Sequence, residues 1–176
     1  YYLGVMYSES KGIETDYLKA ANFFQLASEN NIYLANCNLG FIYLEGLGVP
    51  QNYSEAYNYF LKGAKKNISD CQNGLGWLYE NGIGVSKSKS EAIRWYKLAA
   101  EQNHKQAQFN LGLFFLKDKS LDDNYQTAIK WFALAAQQGV PEAQYNLGTI
   151  YFDGFGVVQN FKKAFTNYLL SAEKGL

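Results

Sequence analysis

The stretch "ANCNLGFIYLEGLGV", residues 35–49, contains two features that return along the whole chain. Its Leu-Gly pair begins at Leu39, and the same pair begins at Leu3, Leu75, Leu111 and Leu147, always 36 residues apart. Its paired glycines, Gly46 and Gly48, return as "GIGV" at 82–85 and "GFGV" at 154–157. A feature that recurs at one period through a chain is a building unit rather than a single site.

Each unit has the pattern of two helices. In the second copy, Ala35, Leu39, Ile42 and Tyr43 have the spacing of one helical face. The segment "YSEAYNYFLKGAKKN", which begins at Tyr53, gives a second amphipathic pattern. The second helix is preceded by residues that favour N-caps, namely Asp16, Asn52, Ser88, Asn124 and Asn160. It is followed by residues that tolerate the left-handed conformation, namely Asn31, Asn67, Asn103, Gly139 and Gly175.

These signals predict an all-α fold of about five helical hairpins in a single repeat array over residues 1–176. The predicted repeats are a partial first copy at 1–31 and complete copies at 32–67, 68–103, 104–139 and 140–175. The chain begins within one repeat and stops where the next would begin, which predicts a fragment of a longer protein.

The paired glycines admit two interpretations, a phosphate-binding loop or a tight turn between two helices. A phosphate loop follows a strand, opens a helix and usually has a lysine nearby, and none of these accompanies the glycines. We therefore predict turns. The glycine of each Leu-Gly pair lies inside a helix, where it costs about 1 kcal/mol against alanine. We expect it there because a neighbouring helix packs too close for a side chain.

Composition excludes several functional classes. The chain is 48% apolar, and its 16 basic residues balance 16 acidic residues. With no basic stripe, a nucleic-acid partner has no electrostatic support. The purely apolar stretches are short, as in "LFFL" at 113–116, so no membrane span is predicted in this fragment.

Few side chains suggest redox, metal or catalytic chemistry. Cys37 and Cys71 occupy different offsets in their repeats, which predicts buried free thiols and no disulfide. His104, the only histidine, falls between repeats and has no second histidine for a triad or zinc site. The segment "DKSLDDN" at 118–124 resembles the start of a calcium loop but has Asp123 and Ile129 where Gly and Glu belong. We predict a solvated turn there, and no cofactor or metal.

The repeats resemble the Sel-one-like repeat family, a relative of the tetratricopeptide repeat. The resemblance rests on "AQYNLGTIYFDGFGV" at 143–157 and "EAIRWYKLAAEQN" at 91–103, and covers five copies, the first lacking its start. It implies a right-handed α/α superhelical solenoid that acts as a non-catalytic scaffold or adaptor. A peptide or protein would bind in a concave groove lined by the first helix of each repeat. The family also favours a bacterial, periplasmic or exported setting, while the composition fixes no compartment.

A second function remains open by the same resemblance. Some cysteine-rich relatives have been described as binding β-lactams, so a small-molecule-binding protein or hydrolase of that type is the alternative. The chain lacks their regularly paired cysteines.

By analogy with tetratricopeptide domains, the partner-binding residues should lie on either side of Leu-Gly. Two residues before the leucine stand Asn73, Phe109 and Tyr145, with Tyr1 and Cys37 in the other copies. One residue before it stand Asn38, Asn110 and Asn146. Two residues after it stand Phe41, Trp77 and Leu113, with Val5 and Thr149 in the other copies.

The two aromatic-rich positions have different interpretations. The earlier position can belong to the core or to the groove, since aromatic residues are usual there in the family. The later position varies between copies, and variation within a repeat array can encode specificity without harming the fold. Phe41 and Trp77 are therefore candidate anchors, and the asparagines can hold a partner's backbone.

Overall fold

The computed structural model describes residues 1–10, 12–118 and 124–176, and within these ranges it contains ten α-helices and no strand. The helices are α1 (Tyr2–Ser8), α2 (Tyr17–Glu29), α3 (Leu34–Glu45), α4 (Tyr53–Ala64), α5 (Ser69–Asn81), α6 (Lys89–Glu101), α7 (Lys105–Lys117), α8 (Asn124–Gln137), α9 (Pro141–Asp153) and α10 (Phe161–Ala172). The all-α prediction is confirmed. None of the helices in the described ranges has the length and apolar content needed to cross a bilayer.

The predicted helix boundaries follow from the local chemistry. The side chains of Asp16, Asn52 and Asn160 each accept a hydrogen bond from the backbone N–H three residues on. The Ser88 hydroxyl accepts one from Glu91 at 3.3 Å. These bonds satisfy donors that a helix start leaves open. Asn124 differs, because α8 begins at that residue and its Oδ1 accepts from the next N–H at 2.7 Å.

The paired glycines form turns, as predicted. Gly82 and Gly84 have φ values of +72° and +69°, a region that side chains disfavour. Gly84 also lies against the previous hairpin, since a Cβ there would be 2.7 Å from the Tyr53 carbonyl oxygen. The turn therefore needs glycine both for its backbone conformation and for the close approach of another chain segment.

The Leu-Gly glycines are explained by one aromatic ring in each hairpin. A Cβ at Gly40 on α3 would lie 2.6 Å from the Phe60 ring on α4, and one at Gly76 would lie 2.5 Å from the Tyr96 ring. The ring lies flat against bare backbone and is fully buried in both cases. The expectation of a helix too close for a side chain is confirmed, and the neighbour is the second helix of the same repeat.

The chain divides into two compact units, 1–99 and 100–176, with the boundary inside α6. In the first unit, Leu39 belongs to one core cluster, and Phe60, Leu75 and Leu78 belong to another. In the second unit, Phe132, Leu147 and Ile150 belong to the core. Each unit thus buries apolar side chains between its own helices.

In each complete repeat, a buried side-chain amide lies three residues before the leucine of Leu-Gly. The sequence patterns did not predict a role for this amide. The Gln108 Nε2 atom donates to the Ala100 carbonyl at 3.1 Å, and the equivalent Gln144 donates to the Ala136 carbonyl at 3.3 Å. Gln108 and Gln144 therefore each satisfy a carbonyl near the end of the preceding second helix, whereas Gln72 donates to the side chain of Asn67 at 3.0 Å.

The cysteine prediction is wrong, because Cys37 and Cys71 form a disulfide between α3 and α5. Their Cα atoms are 4.9 Å apart. Cys37 precedes its leucine by two residues and Cys71 precedes the next leucine by four, so they are 34 residues apart. Adjacent first helices pack with an offset, and side chains at different repeat positions meet across the boundary.

Candidate functional site

The exposed stripe of the first helices in the first unit is the strongest candidate for a functional surface. We call it the α3/α5 face and define it by Asn38, Phe41 and Glu45 on α3 and by Asn73, Trp77 and Glu80 on α5. Phe41 is 43% exposed and Trp77 is 37% exposed. The two asparagines are half-buried. Large aromatic side chains are therefore accessible on two neighbouring helices.

The Phe41 ring is packed as well as accessible, and Trp77 lies near the end of α5. One edge of Phe41 packs against the buried Phe60 ring, with centroids 5.0 Å apart and planes at 82°. Trp77 belongs to the last two turns of α5, where its main-chain carbonyl accepts from Asn81 Nδ2 at 2.9 Å. Both side chains project from rigid helices, which reduces the conformational entropy lost on binding.

Two carboxylates lie at the carboxyl ends of the same helices. Glu45 is the last residue of α3, and Glu80 is the second-last residue of α5. The Tyr96 hydroxyl donates to Glu80 Oε2 at 2.8 Å. Burial, and then the negative charge of Glu80, raise the pKa of Tyr96, so the phenol keeps the proton of this bond.

The disulfide lies directly beside this face. Cys37 adjoins Asn38 in α3, and Cys71 lies two residues before Asn73 in α5. Gly63 on α4 provides the space, because a Cβ at that position would collide with the Cys71 sulfur. The other four repeats have Ala27, Ala99, Ala135 and Ser171 at the position of Gly63. The bond fixes α3 and α5, which carry the exposed rings, to each other.

The candidate residues of the second unit differ from one another in solvent exposure. Phe109 and Leu113 on α7 are half-buried, and the Phe109 ring packs against Phe132 with centroids 5.9 Å apart. Tyr145 on α9 is 50% exposed and packs one side against Tyr168. The position two before Leu-Gly thus ranges from the buried Cys37 to the exposed Tyr145.

The two asparagines of the second unit bond within their own helices. Asn110 Oδ1 accepts from Gln106 Nε2 at 3.1 Å, and Asn146 Nδ2 donates to the Glu142 carbonyl at 2.7 Å. Each amide therefore has a partner four residues earlier.

His104 acts as the N-cap of α7, since its Nδ1 accepts from the Ala107 N–H at 3.0 Å. It lies between repeats, as predicted, and the capping bond adds a structural reason for a side-chain acceptor there. In the described ranges, no group of three His, Cys, Asp or Glu side chains is placed to hold a metal ion. Residues 119–123 of the calcium-loop segment lie outside the described part of the chain.

The described residues form consecutive helical hairpins in which an aromatic ring packs against the Leu-Gly glycine, and glycine turns join the helices of the second, third and fifth hairpins. These features define a class of α-helical repeat proteins. The chain belongs to the Sel1 repeat family, whose model matches residues 1–32, 34–68, 69–104, 105–140 and 141–176. Proteins of this family generally act as scaffolds for protein interactions and are typically non-catalytic.

Solved structures agree with this assignment. A Sel1 repeat protein from Oxalobacter formigenes is 32% identical with a TM-score of 0.91, over 99% of this chain and 71% of that chain. The protective antigen c5321 of uropathogenic Escherichia coli is 28% identical with a TM-score of 0.89, over 99% of this chain and 38% of that chain. Immunity protein Pa5087 from Pseudomonas aeruginosa shares the fold at 21% identity, with a TM-score of 0.62 over 89% of this chain and 58% of that chain. Comparison with curated proteins gave no match.

Proposed function

We propose that the chain binds a protein or peptide partner through the α3/α5 face, without catalysing a reaction. The observation that carries this proposal is the exposure of Phe41 and Trp77 on adjacent helices that a disulfide holds together. Large aromatic side chains contribute a disproportionate share of binding energy at protein interfaces. A surface that is already ordered loses little entropy when a partner binds.

The amides of this face suit a partner's main chain. Asn38 is half-buried three residues before Phe41, and its amide offers both a donor and an acceptor. Asn73 is half-buried on α5 and already interacts within the chain, so it would have to share its amide with a partner. On the second unit, Phe109, Asn110, Leu113, Tyr145 and Asn146 form a second proposed contact surface. Its amides already bond within their helices, so we expect its contribution to come mainly from Tyr145.

Selection of a random peptide library displayed on phage tests this function directly. We expect the wild-type chain to enrich a family of related peptides. Trp77→Ala should weaken their binding by at least about 1 kcal/mol while the melting temperature stays nearly unchanged. Binding is measured by fluorescence anisotropy with labelled synthetic copies of the selected peptides.

Leu26→Ala is the matched control, because Leu26 is also exposed in the first unit but lies on the second helix of its hairpin. It should leave peptide binding unchanged. Failure to enrich any peptide above an empty support, or equal binding by wild type and Trp77→Ala, would contradict the proposal.

A further inference from the structure

Each exposed ring of the α3/α5 face has a carboxylate one helical turn further on. Phe41 and Glu45 are four residues apart on α3, and Trp77 and Glu80 are three residues apart on α5. Side chains at these spacings are neighbours on a helix surface. Each of the two adjacent helices therefore carries an aromatic ring with a carboxylate near it, of which Glu45 is exposed and Glu80 is half-buried against Tyr96.

Helix stability does not explain the position of these carboxylates. The carboxyl end of a helix carries a partial negative charge, and an acidic side chain there is unfavourable. Neither α3 nor α5 has a basic residue in its last turn to offset the charge. The neutral Tyr96 hydroxyl orients Glu80 through its hydrogen bond and leaves the negative charge in place.

The first helices described in the second unit do not carry this pairing at the same repeat position. At the repeat position of Phe41 and Trp77, the second unit has Leu113 and Thr149, neither of which is aromatic. Lys87 is an exposed cation in the turn after α5, where its Cβ packs near Gly82. The helices α3 and α5 themselves carry the acidic residues Glu45, Asp70 and Glu80 and no lysine or arginine.

We propose that the α3/α5 face binds a partner segment in which two lysine or arginine side chains are about three residues apart along an extended chain. Each cation would lie over one ring and against the neighbouring carboxylate, combining a cation–π contact with an ion pair. The spacing follows because packed helices lie about 8–10 Å apart and an extended chain rises about 3.3 Å per residue. The inference rests on the proposed function and specifies the chemistry of its partner.

The same peptide selection tests this inference, with the spacing of basic residues as the readout. Peptides enriched by the wild-type chain should contain two Lys or Arg residues about three positions apart. The double variant Glu45→Gln and Glu80→Gln should bind them about tenfold more weakly. Raising the salt concentration should also weaken binding. Glutamine at position 80 can still accept from Tyr96, so folding, checked by circular dichroism, should be retained.

The charge-matched control is Glu29→Gln with Glu55→Gln, which removes two carboxylates from second helices of the same unit. It should leave binding unchanged. Enriched peptides without basic pairs, or equal loss of binding in both double variants, would overturn this inference and leave the proposed function standing. Enrichment of no peptide at all would overturn both.

Discussion

At the scale of single residues, one repeat position allows a comparison that separates backbone strain from packing. Gly12 and Gly84 occupy the same place in their turns and have φ values of +80° and +69°. A Cβ at Gly12 would meet nothing within 4 Å, whereas one at Gly84 would meet the backbone of Tyr53. The two glycines thus share a conformation and differ in their surroundings.

We therefore expect Gly12→Ala to lower the free energy of unfolding by about 1 kcal/mol, the cost of a left-handed conformation for alanine. Gly84→Ala should lower it by about 2–3 kcal/mol, since the Tyr53 carbonyl must also move. Urea denaturation of both variants measures the difference. Equal losses of unfolding free energy in the two variants would show that the turn of the third repeat is not closely packed against the preceding hairpin.

At the scale of the helices, the disulfide depends on Gly63, because a side chain at that position would collide with the Cys71 sulfur. Closing a loop between residues 34 apart removes disorder from the unfolded chain, which is worth about 3–4 kcal/mol. The double variant Cys37→Ala and Cys71→Ala should lose this amount in denaturant unfolding. The wild-type chain, prepared without reductant, should show no free thiol.

Gly63→Ala tests the packing of the same bond. In the wild-type chain the added Cβ collides with the Cys71 sulfur, so we expect a loss of several kcal/mol or failure to form the disulfide. In the cysteine-free variant the sulfur is absent, and Gly63→Ala should cost far less. Additive effects of the three substitutions, measured by urea denaturation, would contradict this coupling.

The sequence was sufficient to predict the helices, because their signals are local. Capping residues such as Asn52 and left-handed stops such as Asn67 act within one turn, and the period of Leu-Gly supplied the repeat. A comparison of equal repeat positions does not predict the disulfide, because Cys37 and Cys71 stand at different positions in their repeats. Their meeting depends on the offset between α3 and α5, which arises only when repeats stack. The carboxylate of Glu80 was missed because its orientation depends on Tyr96, sixteen residues away.

At the scale of the whole molecule, α10 leaves an apolar stripe uncovered. Phe161, Phe165 and Leu169 are 59%, 68% and 47% exposed. The equivalent residues of the second repeat are Tyr53, Tyr57 and Leu61, of which Tyr57 and Leu61 pack on the core of the first unit. Contiguous exposed apolar side chains favour association.

We expect the chain of residues 1–176, prepared on its own, to self-associate as its concentration rises, which analytical ultracentrifugation measures. Phe165→Lys with Leu169→Lys should keep the chain monomeric without lowering its melting temperature, because neither side chain is buried. Thr166→Lys, an exposed change on the same helix, should not affect association. A wild-type chain that stays monomeric at every concentration would refute this prediction.

The bond between Cys37 and Cys71 also bears on how such a chain can change its length. Arrays of this kind can grow or shrink by duplication or loss of one unit at a boundary, since each unit contacts mainly its neighbours. Duplication of the second copy would place a new Cys37 and a new Gly63 beside Cys71, so the disulfide would form at the new boundary and the original Cys37 would be left as a single thiol. Growth of the array at this boundary therefore costs one unpaired thiol rather than the disulfide, while growth at a boundary without cysteines leaves no thiol behind.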